Sequence, residues 1–161
     1  MPTRPSITLR PFHEADTAFF TGLATDERVT RFVGDGRPWA PQAIQDRLRA
    51  ALQQQPVEQG GAVRWFIAEE EGEAVGLVVT TRCDAGVEIG YWVSPQHWGR
   101  GVAGAMVDLA VATVPDVYGR VRLIAWAAPA NTASTRLLTR RGFELEASQD
   151  GLDRYVLAHT Q

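Results

Sequence analysis

The sequence predicts an α/β fold built on a mixed, mostly antiparallel sheet of seven strands. Three observations lead to this prediction. Strand-like and helix-like segments follow one another in the order β-α-α-β-β-β-α-β-α-β-β. The three strands in the middle of the chain are joined by short polar turns, so they run antiparallel. A long apolar helix then separates the third of them from the next strand, and such a crossover makes those two strands parallel.

The first half of the chain supplies four of the strands and two helices. Residues 6–11 alternate in polarity and end at Pro11, which predicts a strand. Apolar side chains recur at helical spacing over 14–24 and 42–55, and the residues between these two helices are rich in glycine and proline. The β-branched and aromatic content predicts the three central strands at 64–68, 74–81 and 87–93.

The second half of the chain begins with the most apolar helix. Residues 102–114 carry a single charge, Asp108, so this helix is expected to be buried on most of its surface, and Pro115 is expected to end it. The remaining elements are strands at 121–126, from Phe143 onward and at 152–158, and a helix at 133–141 that Gly142 ends. The length fits one domain, residues 1–161.

Composition narrows the classes of partner and compartment. The formal net charge is −3 and the isoelectric point about 5.6, which argues against a nucleic-acid binder or a protein of anionic membranes. No apolar segment is long enough for a membrane span or a signal sequence, so a cytoplasmic protein is expected. The single cysteine, Cys83, excludes an internal disulfide, and the isolated His13, His97 and His159 predict no metal site.

A glycine-rich turn at residues 99–104 joins the third central strand to the apolar helix. The unpaired N–H groups and the positive dipole of the helix start favour an anion there, most simply a phosphate. The spacing also matches the G-x-G-x-x-G fingerprint of dinucleotide-binding proteins. That fingerprint requires glycines directly after a strand and an acidic residue about twenty positions later. Here residues 94–98 intervene and the next strand ends without an acid, which disfavours a nicotinamide site.

Residues 98–103 resemble the coenzyme A pyrophosphate loop of the GNAT acetyltransferase superfamily, whose pattern is Gln/Arg-x-x-Gly-x-Gly/Ala. Trp98 stands where most members have glutamine or arginine. In this departure the segment resembles the RimJ/RimL-like branch, where tryptophan is familiar at this position. That branch contains the ribosomal-protein N-terminal alanine acetyltransferases. Three further parts of the chain resemble the same branch: residues 7–11, residues 28–33, and residues 131–134 together with 141–143. The resemblance covers nearly the whole chain in the right order.

The resemblance implies a splayed sheet and acetyl-CoA as cosubstrate. The strands on either side of the apolar helix would separate, and the pantetheine arm would pair with the main chain of the earlier strand. The residues expected to bind the coenzyme are Tyr91, Trp92, Val93, Trp98, Gly99, Arg100, Gly101, Val102, Ala103, Gly104, Asn131 and Ser134.

The resemblance also suggests the residues of the reaction. Glu88 lies on the strand where several family members place a catalytic glutamate, and it is expected to accept the proton of the amine. Many members use a tyrosine on the late helix as the general acid, but Leu138 occupies that position here. Ser134 is therefore expected to act as the general acid that protonates the departing thiolate. Phe32 and Trp39, together with Glu88, are expected to line the acceptor pocket, whereas Trp65 and Trp126 are expected in the core.

The predicted function is therefore transfer of an acetyl group from acetyl-CoA to a primary amine by direct attack in a ternary complex. The acceptor is a protein N-terminus or a small-molecule amine. The alternative is a coenzyme-A-binding sensor or scaffold without catalysis, which the loss of the late-helix tyrosine favours and the retained Glu88 and Ser134 oppose. A homodimer is a family-level expectation.

Overall fold

The computed structural model describes residues 5–158; His159 and the N-terminal residues 1–4 lie outside the described part. Seven strands form one sheet: β1 Ile7–Pro11, β2 Val63–Glu70, β3 Glu73–Cys83, β4 Gly86–Val93, β5 Leu123–Ala127, β6 Glu144–Gln149 and β7 Leu152–Leu157. Five α-helices accompany them: α1 Thr17–Ala24, α2 Glu27–Thr30, α3 Pro41–Gln53, α4 Val102–Tyr118 and α5 Thr132–Arg140. Single 3₁₀ turns precede α1 and follow β4.

The strand order is β1-β2-β3-β4-β5-β7-β6, and every neighbouring pair is antiparallel except β4 and β5. The predicted mixed, mostly antiparallel sheet is thus confirmed. The parallel pairing of β4 with β5 is short, because only Val87 with Leu123 and Glu88 with Ile124 are matched. Both strands continue for several residues beyond those pairs, to Val93 and Ala127, without meeting. The sheet is therefore splayed after Glu88, and a gap separates the two strands.

Two helical layers cover the sheet. On one face, α4 and α5 pack on the residues of β4 with odd numbers, beginning with Val87 and Ile89. On the other face, α1 and α3 contribute Phe20 and Ile44 to a second core that also contains Trp65, as the sequence predicts. Alternate residues of β4 consequently serve different layers, as the geometry of a strand requires.

Helix α4 does not end at Pro115 as expected but continues to Tyr118. Proline within a helix costs a hydrogen bond and strains the preceding turn. Here the last turn is held by Tyr118, whose ring is buried and whose hydroxyl lies 2.8 Å from Thr80 Oγ1 on β3. The tertiary contact of this last turn therefore outweighs the local preference of the proline.

The remaining differences from the predicted elements are small. The glycine-rich and proline-rich segment after α1 contains the short helix α2, where the Asp26 side chain accepts a capping hydrogen bond from the Arg28 N–H. Strands β2 and β3 are each a few residues longer than predicted because they form a long antiparallel ladder, which a register shift between Ala68 and Glu69 interrupts. Among residues 5–158, no helix has the length and hydropathy needed to cross a membrane.

Candidate active site

A cavity of about 600 Å³ opens beside the gap between β4 and β5, on the sheet face that carries α1 and α3. Its lining is mainly aromatic and aliphatic, and its charged residues are Glu88, Arg47 and Asp150. This volume is in the range of small-molecule sites. The cavity floor includes Gly90, where an added Cβ would meet no atom within 4 Å. Because Gly90 has no side chain, the cavity has open space between Glu88 and Trp92, its even-numbered neighbours on β4.

Glu88 lies at the last matched pair of β4 and β5, where the strands begin to separate. Its side chain is half-buried and lines the cavity. The indole N–H of Trp126 on β5 donates a hydrogen bond of 3.2 Å to Glu88 Oε1. Trp126 was expected in the core, but it is only half-buried, lines the cavity and holds the carboxylate. Sequence reasoning missed this role, because it depends on Glu88 and Trp126 occupying adjacent strands on the same face.

Aromatic rings form the inner wall of the cavity. Trp39 and Trp92 meet edge to face, with ring centroids 5.3 Å apart, and both pack against Phe20. Trp39 thus lines this cavity. Phe32, in contrast, is not among the residues that line the cavity; its ring lies under the guanidinium of Arg31, and Val33 reaches the cavity instead.

The glycine-rich turn follows β4 and leads from its C-terminal end, at Val93, to the start of α4. Gly101 is the residue before the helix and has φ of +81°, a left-handed conformation that favours glycine. The helix bond from the Ala105 N–H to the Gly101 carbonyl leaves the preceding N–H groups without helical partners. These are the N–H groups of Gly101, Val102, Ala103 and Gly104. The turn therefore fits a diphosphate, which needs several convergent donors.

Gly104 has a second role that the sequence did not reveal. An added Cβ would meet the guanidinium of Arg141, and Arg141 Nε donates to the Gly104 carbonyl at 3.2 Å and to Asp108 Oδ1 at 2.9 Å. Arg141 follows α5 directly, so these bonds fasten the end of α5 to the start of α4. A larger residue at position 104 would displace the end of the Arg141 side chain and disturb these bonds.

The side chains of Trp98 and Arg100 make protein contacts beside the turn. Trp98 donates its indole N–H to the Val93 carbonyl at 2.8 Å, while 49% of the residue remains exposed. Arg100 forms an ion pair of 2.5 Å with Glu70 at the end of β2. In this arrangement the guanidinium of Arg100 is engaged by Glu70.

The backbone of β4 faces the gap only at alternate residues. The Val87 N–H bonds to the Arg122 carbonyl toward β5, whereas the Ser94 N–H bonds to the Val75 carbonyl toward β3. Because these directions alternate along a strand, Tyr91 and Val93 direct main-chain groups into the gap. Trp92 directs its main chain to β3, where it pairs with Leu77. Its contribution to the site is therefore its indole ring.

Two hydroxyl groups meet on the opposite side of the gap from Glu88. Tyr91 Oη lies 2.5 Å from Ser134 Oγ in the first turn of α5. Burial raises the pKa of the Tyr91 phenol, and the hydrogen bond to Ser134 and the positive charge of Arg141 act in the opposite direction. Asn131 caps this helix by accepting the Ser134 N–H at 3.3 Å, which leaves its side-chain amide N–H groups for a ligand. Leu138, at the position of the late-helix tyrosine of many family members, is fully buried in the core.

Within residues 5–158, no group of three or more histidine, cysteine, aspartate or glutamate side chains is placed to hold a metal ion. His97 lies next to the glycine turn, with Nδ1 3.5 Å from an Arg100 nitrogen. The polar groups of the described site include hydroxyl, carboxylate, side-chain amide and main-chain groups.

Comparison with known proteins agrees with this geometry. A family model described as an acetyltransferase (GNAT) domain matches residues 6–144. YoaA of Bacillus subtilis (strain 168), described as an uncharacterized N-acetyltransferase, is 29% identical over 146 residues, which cover 87% of this chain and 80% of that protein.

Two solved structures show the same fold over nearly all of both chains. The spermidine N-acetyltransferase of Vibrio cholerae, in complex with CoA and spermine, has a TM-score of 0.79 at 17% identity, covering 95% of each chain. The aminoglycoside acetyltransferase AAC(6')-Ib, in complex with coenzyme A, has a TM-score of 0.77 at 18% identity, also covering 95% of each chain. Neither likeness supports the ribosomal-protein branch. The matched domain shows that the chain belongs to the GNAT acetyltransferase family, whose activity is acetyl-CoA-dependent transfer of an acetyl group to an amine.

Proposed function

We propose that the protein transfers the acetyl group of acetyl-CoA to a primary amine on a small, largely apolar molecule. The observation that carries the proposal is the position of Glu88. Its carboxylate lies at the point where β4 and β5 separate and also lines the aromatic cavity. A base at that point can accept the proton of an amine that enters from the cavity and attacks a thioester bound in the gap.

Each step of a direct transfer has a group of this chain beside it. An amine must be neutral to attack, and Glu88 accepts its proton directly or through one water molecule. The main-chain N–H groups that Tyr91 and Val93 direct into the gap are suited to polarise the thioester carbonyl. Ser134 presents a hydroxyl to the departing sulfur from the opposite side. Trp126 keeps the Glu88 carboxylate in place, so it is a positioning residue.

The glycine turn and the residues near it supply the coenzyme site in this proposal. Its diphosphate is held by main-chain N–H groups of residues 99–104, and Trp98 offers a half-exposed ring beside them. Asn131 offers its side-chain amide and Ser134 its hydroxyl nearer the thioester. The left-handed conformation of Gly101 directs these N–H groups toward one anion.

The cavity lining favours an acceptor with one amine and an apolar body. Among residues 5–158, only Glu88 and Asp150 supply carboxylates to the lining, and Arg47 supplies an opposing positive charge. Polyamines and aminoglycosides carry several positive charges and would be matched by several acids. The rings of Trp39 and Trp92 instead offer apolar contact, and the guanidinium of Arg47 already lies over the Trp39 ring, 5.6 Å from its centroid. A ribosomal-protein N-terminus, the acceptor in the branch that the sequence motifs resemble, is the second candidate.

The experiment is a thiol-release assay with acetyl-CoA and a panel of amines. The panel contains 2-phenylethylamine, a linear alkylamine, spermidine, kanamycin and a peptide that begins with alanine. We expect the highest kcat/KM for the monoamines with an apolar body. Preference for the peptide would contradict the small-molecule acceptor, and coenzyme binding without turnover of any amine would favour the non-catalytic alternative.

The Glu88→Gln variant tests the base, with Glu73→Gln in the β2–β3 hairpin as the matched control. We expect the loss of rate in Glu88→Gln to be greatest at low pH, where little neutral amine exists. An unchanged pH–rate profile would remove Glu88 from this role.

The single-domain organisation, the cytoplasmic location and the homodimer expected from the sequence belong to the same proposal. Limited proteolysis, cell fractionation and sedimentation equilibrium would test them in turn.

A further inference from the structure

We propose that Tyr91 orients the Ser134 hydroxyl toward the departing sulfur, so that the two hydroxyl groups act as one unit that stabilises the thiolate. The inference rests on the proposed acetyl transfer and adds a residue from β4 to it. Tyr91 is a positioning residue here, because it acts through Ser134.

The contact itself is short and lies at the gap. Tyr91 Oη and Ser134 Oγ are 2.5 Å apart, at the short end of the range for O–H···O hydrogen bonds. Tyr91 projects to the face of α4 and α5, while Glu88, three residues earlier, projects to the cavity face. The base and the hydroxyl pair therefore lie on opposite sides of the gap. An amine attacking from one side and a thiolate leaving on the other need this arrangement.

The direction of the hydrogen bond follows from acidity. A phenol, with a pKa of about 10, is a far stronger acid than an aliphatic alcohol, so the Tyr91 O–H donates to Ser134 Oγ. The Ser134 proton is then free to point at the sulfur. Such a chain polarises the Ser134 hydroxyl and strengthens its donor capacity. The nearby positive charge of Arg141, fastened to the start of α4, further favours a negative charge at this place.

The step balances without moving the phenol proton. The amine nitrogen forms a bond to the thioester carbonyl carbon as the carbon–sulfur bond breaks, the electron pair of that bond stays on sulfur, and the thiolate accepts the hydrogen bond from Ser134. The amine proton passes to Glu88 and then to water, and water protonates the thiolate as the product leaves. Because burial raises the pKa of Tyr91, the phenol stays protonated and remains a donor throughout the reaction.

The test measures the ionisation of the thiol of bound CoA, which needs no amine acceptor. The ultraviolet absorbance of the thiolate is titrated with pH for CoA bound to the wild type, Tyr91→Phe, Ser134→Ala and the double variant. Two donors that act as a unit lower the pKa of the bound thiol in the wild type. We expect each single variant to raise that pKa by about one pH unit and the double variant to raise it no further.

Tyr118→Phe is the matched control, because the hydroxyl of this buried tyrosine also bonds to another hydroxyl, that of Thr80. It should leave the thiol pKa unchanged. A bound thiol that titrates alike in the wild type and Tyr91→Phe would overturn the proposal, and so would additive effects of the two single variants. If Tyr91→Phe does not fold, Ser134→Ala provides the test. An unchanged thiol pKa in that variant would also contradict the proposal that the two hydroxyl groups act as one unit.

Turnover separates this inference from the proposed function. With the best amine of the panel, Tyr91→Phe should lower kcat about tenfold and leave the KM of acetyl-CoA unchanged. If no amine is acetylated, the proposed function fails while the thiol titration still reports on the hydroxyl pair.

Discussion

Replacement of Gly101 by glutamate tests the phosphate-binding turn most directly. A side chain at φ of +81° costs about 1–2 kcal/mol, although an added Cβ would meet only Pro5 Cδ, at 3.9 Å. A carboxylate at the start of α4 recovers about 0.3–1 kcal/mol from the helix dipole. The melting temperature should therefore fall by only a few degrees, since about 1 kcal/mol corresponds to about 2–4 °C at this size.

Coenzyme binding should respond far more than stability. A carboxylate about 4 Å from a phosphate charge costs between about 1 kcal/mol in water and about 4 kcal/mol near a protein surface. We expect the Kd of CoA, measured by calorimetry, to rise at least about tenfold in Gly101→Glu.

The matched control is Gly61→Glu. Gly61 has φ of +86° and open space around its Cβ position, and it precedes β2 at the end of the sheet away from the turn. This variant should lose at least as much stability as Gly101→Glu and bind CoA normally. Equal CoA affinity in Gly101→Glu and the wild type would refute the assignment of the turn.

Three further predictions follow from single contacts. Gly90→Val places a side chain in the open floor of the cavity, so the KM of the acceptor should rise about tenfold with little change in melting temperature or CoA affinity; an unchanged KM would place the acceptor elsewhere. Tyr118→Phe removes the buried bond to Thr80 and should lower the free energy of unfolding by about 0.5–1.5 kcal/mol in denaturant titrations without lowering kcat. The hydrogen bonds from Arg10 lower the pKa of Asp16, so Asp16 stabilises the fold above its unfolded pKa of about 3.9; denaturant titrations should show the advantage of wild type over Asp16→Asn at pH 7 and its loss as the pH falls below about 4.

The sequence was sufficient for the parts of the site that local patterns determine. Alternating residues identified β4, and the glycines before an apolar helix identified an anion-binding turn. Glu88 could be chosen because the resemblance assigns a role to that strand. These features depend on residues close together in the chain, where strand and helix periodicity decide the geometry.

The contacts that complete the site join residues distant in the chain. Trp126 reaches Glu88 because β4 and β5 pair at only two positions before they separate. Tyr91 meets Ser134, and Arg141 meets Gly104, because α5 docks beside the start of α4. No local pattern specifies this register or docking, so Trp126 was assigned to the core and Tyr91 was given only a main-chain role.

Pro115 shows the same division within one element. By itself the sequence determined where α4 begins, since the turn and its left-handed glycine fix the first N–H groups. Where α4 ends was decided by tertiary structure, because the buried bond between Tyr118 and Thr80 stabilises a last turn that the proline disfavours. Likewise, local periodicity determined the layers of the sheet, whereas the short β4–β5 pairing decided that a gap and a cavity meet at Glu88.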